Sequence, residues 1–263
     1  MRFRVGKMYS FLSMAVEMTY HTDTSRISKS GLDQINKSPL HYWDKYLNPE
    51  RAEKSTPALE FGQAFHRAIS HPIEFENEYA VFTADRRTNA GKAEYAALIE
   101  SAKKIISQDD SNTIKGMQTA LMRYPRLVDA IKHGEHERTF VWDDPATGAP
   151  CKMRVDCLHD GYVFDWKSIE EATPSNFRYS AKKYRYHVQD AFYIDGLAAN
   201  GIECKGFIFV AVEKSAPFGV GIYELPAEAI AEGREAYIRN LNTYMECRKT
   251  GKWTGYTPQL IQW

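Results

Sequence analysis

Between residues 138 and 168 the apolar pattern of this chain drops to a period of two, and that change most restricts what it can fold into. Three runs, RTFVWDD (138–144), CKMRVDCLHD (151–160) and YVFDWKS (162–168), read as consecutive strands. The links between them are turn material: PATGAP, and Asp160-Gly161, a strong hairpin dipeptide. A helical stretch at about 174–200 follows, then KGFIFVAVEK and VGIYEL as two more strands, and a last helix at about 226–249. A meander followed by a helical crossover predicts an α/β fold of the α+β type, with a mixed central sheet of about five strands flanked by helices.

The first half of the chain is helical in pattern. SKSGLDQINKSPLHYWDKYL (28–47) reads as two short helices broken at Ser38-Pro39, with Ser28 or Ser30 as the first N-cap. ALEFGQAFHRAIS (58–70) is a third, and 85–133 is mostly helical, with turns at SQDDSN and Pro125. The expected organisation is an extension over 1–20 and one domain over 21–263. Within that domain, 28–133 is the helical part, 134–225 the core and 226–249 the C-terminal helix. Thirty-four basic residues balance thirty-four acidic ones, so any nucleic-acid surface must concentrate its positive charge locally. No apolar run approaches the ~18 residues of a membrane span. Arg2, Arg4 and Lys7 precede an apolar stretch, but Glu17 interrupts it and no cleavage site follows, so a cytoplasmic location is expected. Cys151, Cys157, Cys204 and Cys247 form no C-x-x-C pair and read as reduced thiols.

Chemistry concentrates around the second hairpin. Side chains alternate across a strand, so Asp165 and Lys167 project from one face. They are either a surface ion pair, worth about 0–1 kcal/mol, or a metal ligand beside a lysine that handles water or phosphate. Asp156 lies on the preceding strand, where hairpin pairing would bring its carboxylate toward Asp165, unless it merely ends the strand. Two close carboxylates raise one pKa unless a cation relieves them, and Mg²⁺ suits a site with few protein ligands. Gly62 and His66 sit one helical turn apart; the glycine suggests close approach of another backbone, and the histidine is a metal ligand or a structural group. Lys182, Arg185, Gln189 and Tyr193 are spaced to share one helix face. Residues 174–189 carry Arg178, Lys182, Lys183 and Arg185 and no acid, which is either a solvated face or one that tracks a phosphate backbone.

Taken in order, Gly62-x-x-x-His66, Asp156, Asp165-x-Lys167 and Gln189-x-x-x-Tyr193 resemble the PD-(D/E)XK nuclease superfamily, in its RecB-like and lambda-exonuclease-like branch. The phrases SRISKSGLDQINKSPLHYW, PALEFGQAFHRAI, RRTNAGKAEY, YRYHVQDAFYIDG and FIFVAVEKSAPFGVGIYEL look like the phage RecE-type exonuclease VIII family, over about Tyr20 to Leu225. That resemblance implies a restriction-endonuclease-like core and an exodeoxyribonuclease dependent on Mg²⁺, with Mn²⁺ substituting and two ions per site. It would hydrolyse linear duplex DNA from the 5′ end and leave 3′ single-stranded tails for recombination.

The resemblance also implies roles for residues. His66, Asp156, Asp165 and the backbone carbonyl of Trp166 would bind metal, with Glu137 a further acidic position. Lys167 would position or activate water beside the two catalytic aspartates, and Gln189 and Tyr193 would hold the helix and the DNA backbone. Arg86, Arg87 and Lys92 are phosphate contacts or a solvated loop. Double-stranded DNA ends, a ring-shaped homo-oligomer and a single-strand annealing recombinase are the expected partners, with no membrane. Two positions depart from the pattern: Val155 replaces the proline, and Trp166 replaces a small aliphatic, so its bulk must fit the opposite sheet face. The rival readings are an endonuclease or single-strand nuclease on the same fold, and a DNA-binding or inhibitory protein that kept the scaffold without the activity.

Overall fold

The computed structural model describes residues 20–258 except 21, 53, 54 and 102, so most of the expected N-terminal extension and the last five residues lie outside the described part. Helix α1 (Lys29–Lys37) starts at Ser28, whose hydroxyl accepts the amide of Gly31, and α2 (Pro39–Tyr46) restarts at the expected Ser-Pro break. Helix α3 (Pro57–Ser70) is capped by Thr56 and followed by α4 (Pro72–Glu78). Strand β1 (Tyr79–Phe82), helix α5 (Asn89–Glu100) and strand β2 (Lys104–Ser107) come next, then α6 (Gln108–Leu121) and α7 (Pro125–His133). The main sheet is built from β3 (Glu135–Asp143), β4 (Pro150–His159), β5 (Tyr162–Ile169), β6 (Gly206–Glu213) and β7 (Val220–Tyr223). Helices α8 (Pro174–Lys183) and α9 (Tyr186–Ala199) connect β5 to β6, and α10 (Ala227–Thr250) closes the order.

The five strands run in the order β3-β4-β5-β6-β7. All neighbours are antiparallel except β5 and β6, which the helical crossover makes parallel. This is the mixed, helix-flanked sheet that the strand pattern predicts. Two cores lie on its two faces. On one, Val155, Val163 and Phe209 pack with Val188, Phe192 and Leu197 of α9 and with Leu241 and Tyr244 of α10. On the other, Phe164, Trp166 and Val210 pack with Phe65 and Ala68 of α3, Met117 of α6 and Leu127 of α7. Each large side chain buried this way contributes about 1.5–3 kcal/mol. Helix α9 approaches its neighbours closely: a Cβ on Gly196 would lie 2.7 Å from the Trp142 ring, and one on Gly233 of α10 would lie 2.0 Å from the His187 carbonyl oxygen.

Three local expectations give way. SQDDSN is a helix start rather than a turn, because the Ser107 hydroxyl accepts the amide of Asp110 and caps α6, with Asp109 and Asp110 in its first turn. Residues 85–133 are mostly helical as expected, interrupted by β2, which pairs with β1 in a small parallel sheet. The stretch 174–200 is two helices, broken where Arg185 adopts a left-handed backbone with φ of 55°. Lys182 and Arg185 therefore do not share a helix face with Gln189 and Tyr193. Gly62, finally, makes no close backbone contact: a Cβ there would meet nothing within 4 Å, which leaves the turn before His66 open.

Candidate active site

Strands β4 and β5 pair from the hairpin only as far as Cys157 and Phe164 and then part. Asp156 and Asp165 are the next residues on each strand, so both carboxylates stand where the ladder ends. The parting frees the amide of Trp166 from any strand partner on that side, and Asp156 Oδ2 accepts it at 3.0 Å. Beyond the fork the edge of β4 is taken by Ile27, which bridges Cys151: its amide donates to the Pro150 carbonyl and its carbonyl accepts the Lys152 amide, each at 2.9 Å. The fork admits side chains from both layers of helices. From α3, His66 brings Nδ1 to 3.4 Å from Asp156 Oδ2. From α9, Gln189 donates to Asp165 Oδ1 at 2.5 Å and accepts from the Lys167 ammonium at 3.2 Å. Tyr193, one turn further, donates its hydroxyl to the Arg154 carbonyl at 3.2 Å and ties α9 to β4.

Asp165 and Lys167 are in contact, at 2.6 Å between Oδ2 and Nζ, and Asp165 is only 2% exposed. This is a buried contact rather than a surface ion pair. Burial opposes the charge on Lys167, but Asp165, Tyr186 and Asp156 together hold it above the ordinary lysine range. Asp165 moves upward, because burial and the negative charge of Asp156 outweigh the pull of Lys167. Asp156 moves downward: burial opposes this, and the charges of His66 and Lys167 with the Trp166 amide overcome it. Burial also opposes the charge on His66, which Asp156 nevertheless holds above the usual histidine range.

Among the described residues no three His, Cys, Asp or Glu side chains form a ready-made metal cage. The donors present nevertheless fit a hard divalent ion with few protein ligands and several waters. Asp165 Oδ2 is buried against the Lys167 ammonium, and two carboxylates at one fork repel unless a cation stands beside them. Glu137 stands opposite Asp156 on the neighbouring strand. It lies between the His136–Cys157 and Arg138–Val155 pairs with φ of 49°, and its carboxylate turns to Arg67 at 3.7 Å. Trp166 is fully buried on the opposite face, stacked on Phe164 with ring centroids 6.2 Å apart, so the bulky replacement is absorbed by the core.

The cations expected to meet DNA separate into two kinds. Arg178, Lys182 and Lys183 are exposed on α8. Arg185 is not available: its guanidinium donates to Asp33 at 3.0 Å and to Asn240 at 2.7 Å, binding the helix break to α1 and α10. On the far loop, Arg86 lies over the Tyr95 ring at 3.4 Å and Arg87 pairs with Asp85, whereas Lys92 is exposed.

Two residues beside the site were not singled out from the sequence. The Tyr186 ring lies 4.8 Å under the Lys167 ammonium and stacks on Phe209 at 5.2 Å. Its position three residues before Gln189 was a usable helical signal. Lys29 donates to the Tyr184 carbonyl at 2.6 Å and pairs with Asp33 at 2.8 Å. Burial lowers its pKa, and Lys167 is near enough to add to that shift. Nothing local could announce it, since 138 residues separate it from Lys167 in the chain.

A family model described as a PDDEXK-like domain of unknown function (DUF3799) matches residues 28–260. The chain belongs to this family. It has the PDDEXK-like nuclease fold, and nucleases of that fold generally use divalent metal ions. A crystal structure of a Eubacterium rectale protein, named "Putative exonuclease", superposes with a TM-score of 0.63 over 94% of this chain and 95% of that one, at 13% identity. At that identity the likeness is one of fold. The crystal structure of SSO0001 aligns at a TM-score of only 0.30, with 16% identity over 68% of this chain and 84% of that one. No curated protein matches the chain. Among the described residues, no helix is long and apolar enough to cross a membrane.

Proposed function

We propose that this protein is a divalent-metal-dependent exodeoxyribonuclease that degrades linear duplex DNA, working from the 5′ end and leaving 3′ single-stranded tails for recombination. The observation that carries the proposal is the fork itself, where Asp156, Asp165 and Lys167 meet with Gln189 bridging the last two. A structural role would not require two repelling carboxylates and a buried ammonium at the one point where the sheet opens. The Eubacterium rectale neighbour's name agrees with the exonuclease reading.

His66, Asp156, Asp165 and the Trp166 carbonyl would hold Mg²⁺ or Mn²⁺, in one or two ions. Such an ion supplies Lewis acidity, easing ionisation of water and neutralising charge on phosphate oxygens. Lys167, as an ammonium, donates a hydrogen bond that fixes a water or a phosphate oxygen beside the carboxylates. Gln189 holds Lys167 and Asp165 at a fixed separation, and Tyr193 fixes the helix that carries Gln189. Arg178, Lys182 and Lys183 face the phosphate backbone, while Arg185 keeps the helix break in shape. A ring-shaped homo-oligomer and a single-strand annealing partner belong to the same proposal and rest on the family resemblance alone.

The test is digestion of linear and covalently closed duplex DNA, with and without Mg²⁺, by the wild type and by Lys167→Ala. Loss of the linear form only, dependent on Mg²⁺ and reduced on the order of 10²–10³-fold by the substitution, is the expected result. Cleavage of closed circles would make the protein an endonuclease. Binding without cleavage would make it a scaffold that has lost its chemistry.

A further inference from the structure

The cationic helix beside the site also displays aromatic rings. Tyr179 on α8 is 64% exposed and Tyr184, at its end, is 50% exposed, both unusual for so large a ring. The Lys183 ammonium lies between them, 5.8 Å from the Tyr179 ring and 5.3 Å from the Tyr184 ring. Tyr184 in turn stacks with Tyr186 at 6.0 Å and 24°, and Tyr186 lies under Lys167. An unbroken series of rings and ammonium groups therefore leads from the protein surface to the fork.

Its charge favours a polyanion. No acid occurs between residues 174 and 189. The acids at its borders are occupied, Asp33 by Lys29 and Arg185, and Glu171 by Thr173 and Asn176. A duplex keeps its base faces stacked inside the helix, and its phosphates are met by cations alone. Unpaired bases present π-faces, and alternating rings and cations are the surface that holds them.

We infer that the Tyr179–Lys183–Tyr184 strip is a stacking track for an unpaired DNA strand at the candidate site. It rests on the nuclease reading in one respect, the nature of the site it leads to. An enzyme that cuts a strand at a duplex end must hold the nucleotides nearest the cut out of the helix. The strip leads from the protein surface to Tyr186 and Lys167 at the fork.

Binding can be measured in the Lys167→Ala background, by fluorescence anisotropy, with a labelled oligo(dT) of roughly 15 nucleotides and a blunt duplex of about the same length. Replacing Tyr179 and Tyr184 by leucine should weaken oligo(dT) binding roughly tenfold for each ring and change duplex binding by less than about twofold. The slope of affinity against salt should not change, because no phosphate contact is lost. Replacing both by phenylalanine should restore binding. Equal losses on both DNAs, or no loss on either, would overturn the track. A wild type that cleaves nothing, but binds oligo(dT) through these rings, would sink the nuclease reading and keep the track. A wild type that cleaves DNA, beside a leucine pair with undiminished oligo(dT) affinity, would do the reverse.

Discussion

Strand β5 has two faces that differ in almost every property. On one, Phe164 and Trp166 are fully buried against α3, α6 and α7, with the Arg126 guanidinium 5.7 Å from the Phe164 ring and the Trp166 indole N–H without a partner. On the other, Asp165 and Lys167 meet each other, Gln189 and Tyr186. The contrast shows how a charged site is held still. Ion pairs alone leave side chains free to re-form elsewhere, whereas a dry face packed at crystal density fixes the backbone that carries them. The parting of β4 from β5 then opens the sheet beside the charged face.

The largest test of this contrast is Trp166→Ala, which should cost about 3–5 kcal/mol in urea unfolding. A loss below about 1 kcal/mol would show that the dry face does not anchor the strand. A second test asks what a buried carboxyl does without an ammonium. Asp190, next to Gln189 on α9, is 1% exposed, and its Oδ1 has no hydrogen bond. Burial, with the charge of Asp165, pushes its pKa from 3.8 to about 7. Between those values the folded chain keeps a proton that the unfolded chain has released, so this group's stability contribution falls as pH rises from about 4 to 7 and is constant above. Asp190→Asn should lack that slope and gain on the wild type toward pH 8, by an amount bounded near ~4 kcal/mol. Unfolding curves at both ends of the window, parallel in the two proteins, would refute it. The smallest expected effect is at Tyr186. Its ring fixes Lys167 from below, so Tyr186→Leu should slow cleavage about tenfold through kcat rather than KM, and Tyr186→Phe should recover it. Equal behaviour of the two variants would reduce the ring to a spacer.

Element types and order were legible because periodicity is local. Three strands, a crossover, two final strands and a helix were all readable from their own residues. Where reading failed, a local signal had two meanings. SQDDSN is turn-like in composition and is also a good helix cap. The run from 174 to 200 has an unbroken helical pattern, and the bonds of Arg185 to Asp33 and Asn240 accompany its break. Both partners are remote in sequence, so no window around Arg185 contains the cause. The same limit applies to Lys29, and to Glu137, whose turn toward Arg67 follows from a left-handed backbone that a glutamate seldom adopts.

By itself, then, the sequence determined which residue types stand in which order: a strand with an aspartate and a lysine on one face, a second aspartate across a tight turn, and a helix with glutamine and tyrosine one turn apart. Those follow from spacing, which the backbone converts directly into faces. The tertiary structure alone decided that β4 and β5 part at the two aspartates, that helices from both layers reach the gap, and which cations are free. These depend on contacts between segments far apart in the chain, where packing and charge pairing choose among side chains that local pattern treats as equivalent.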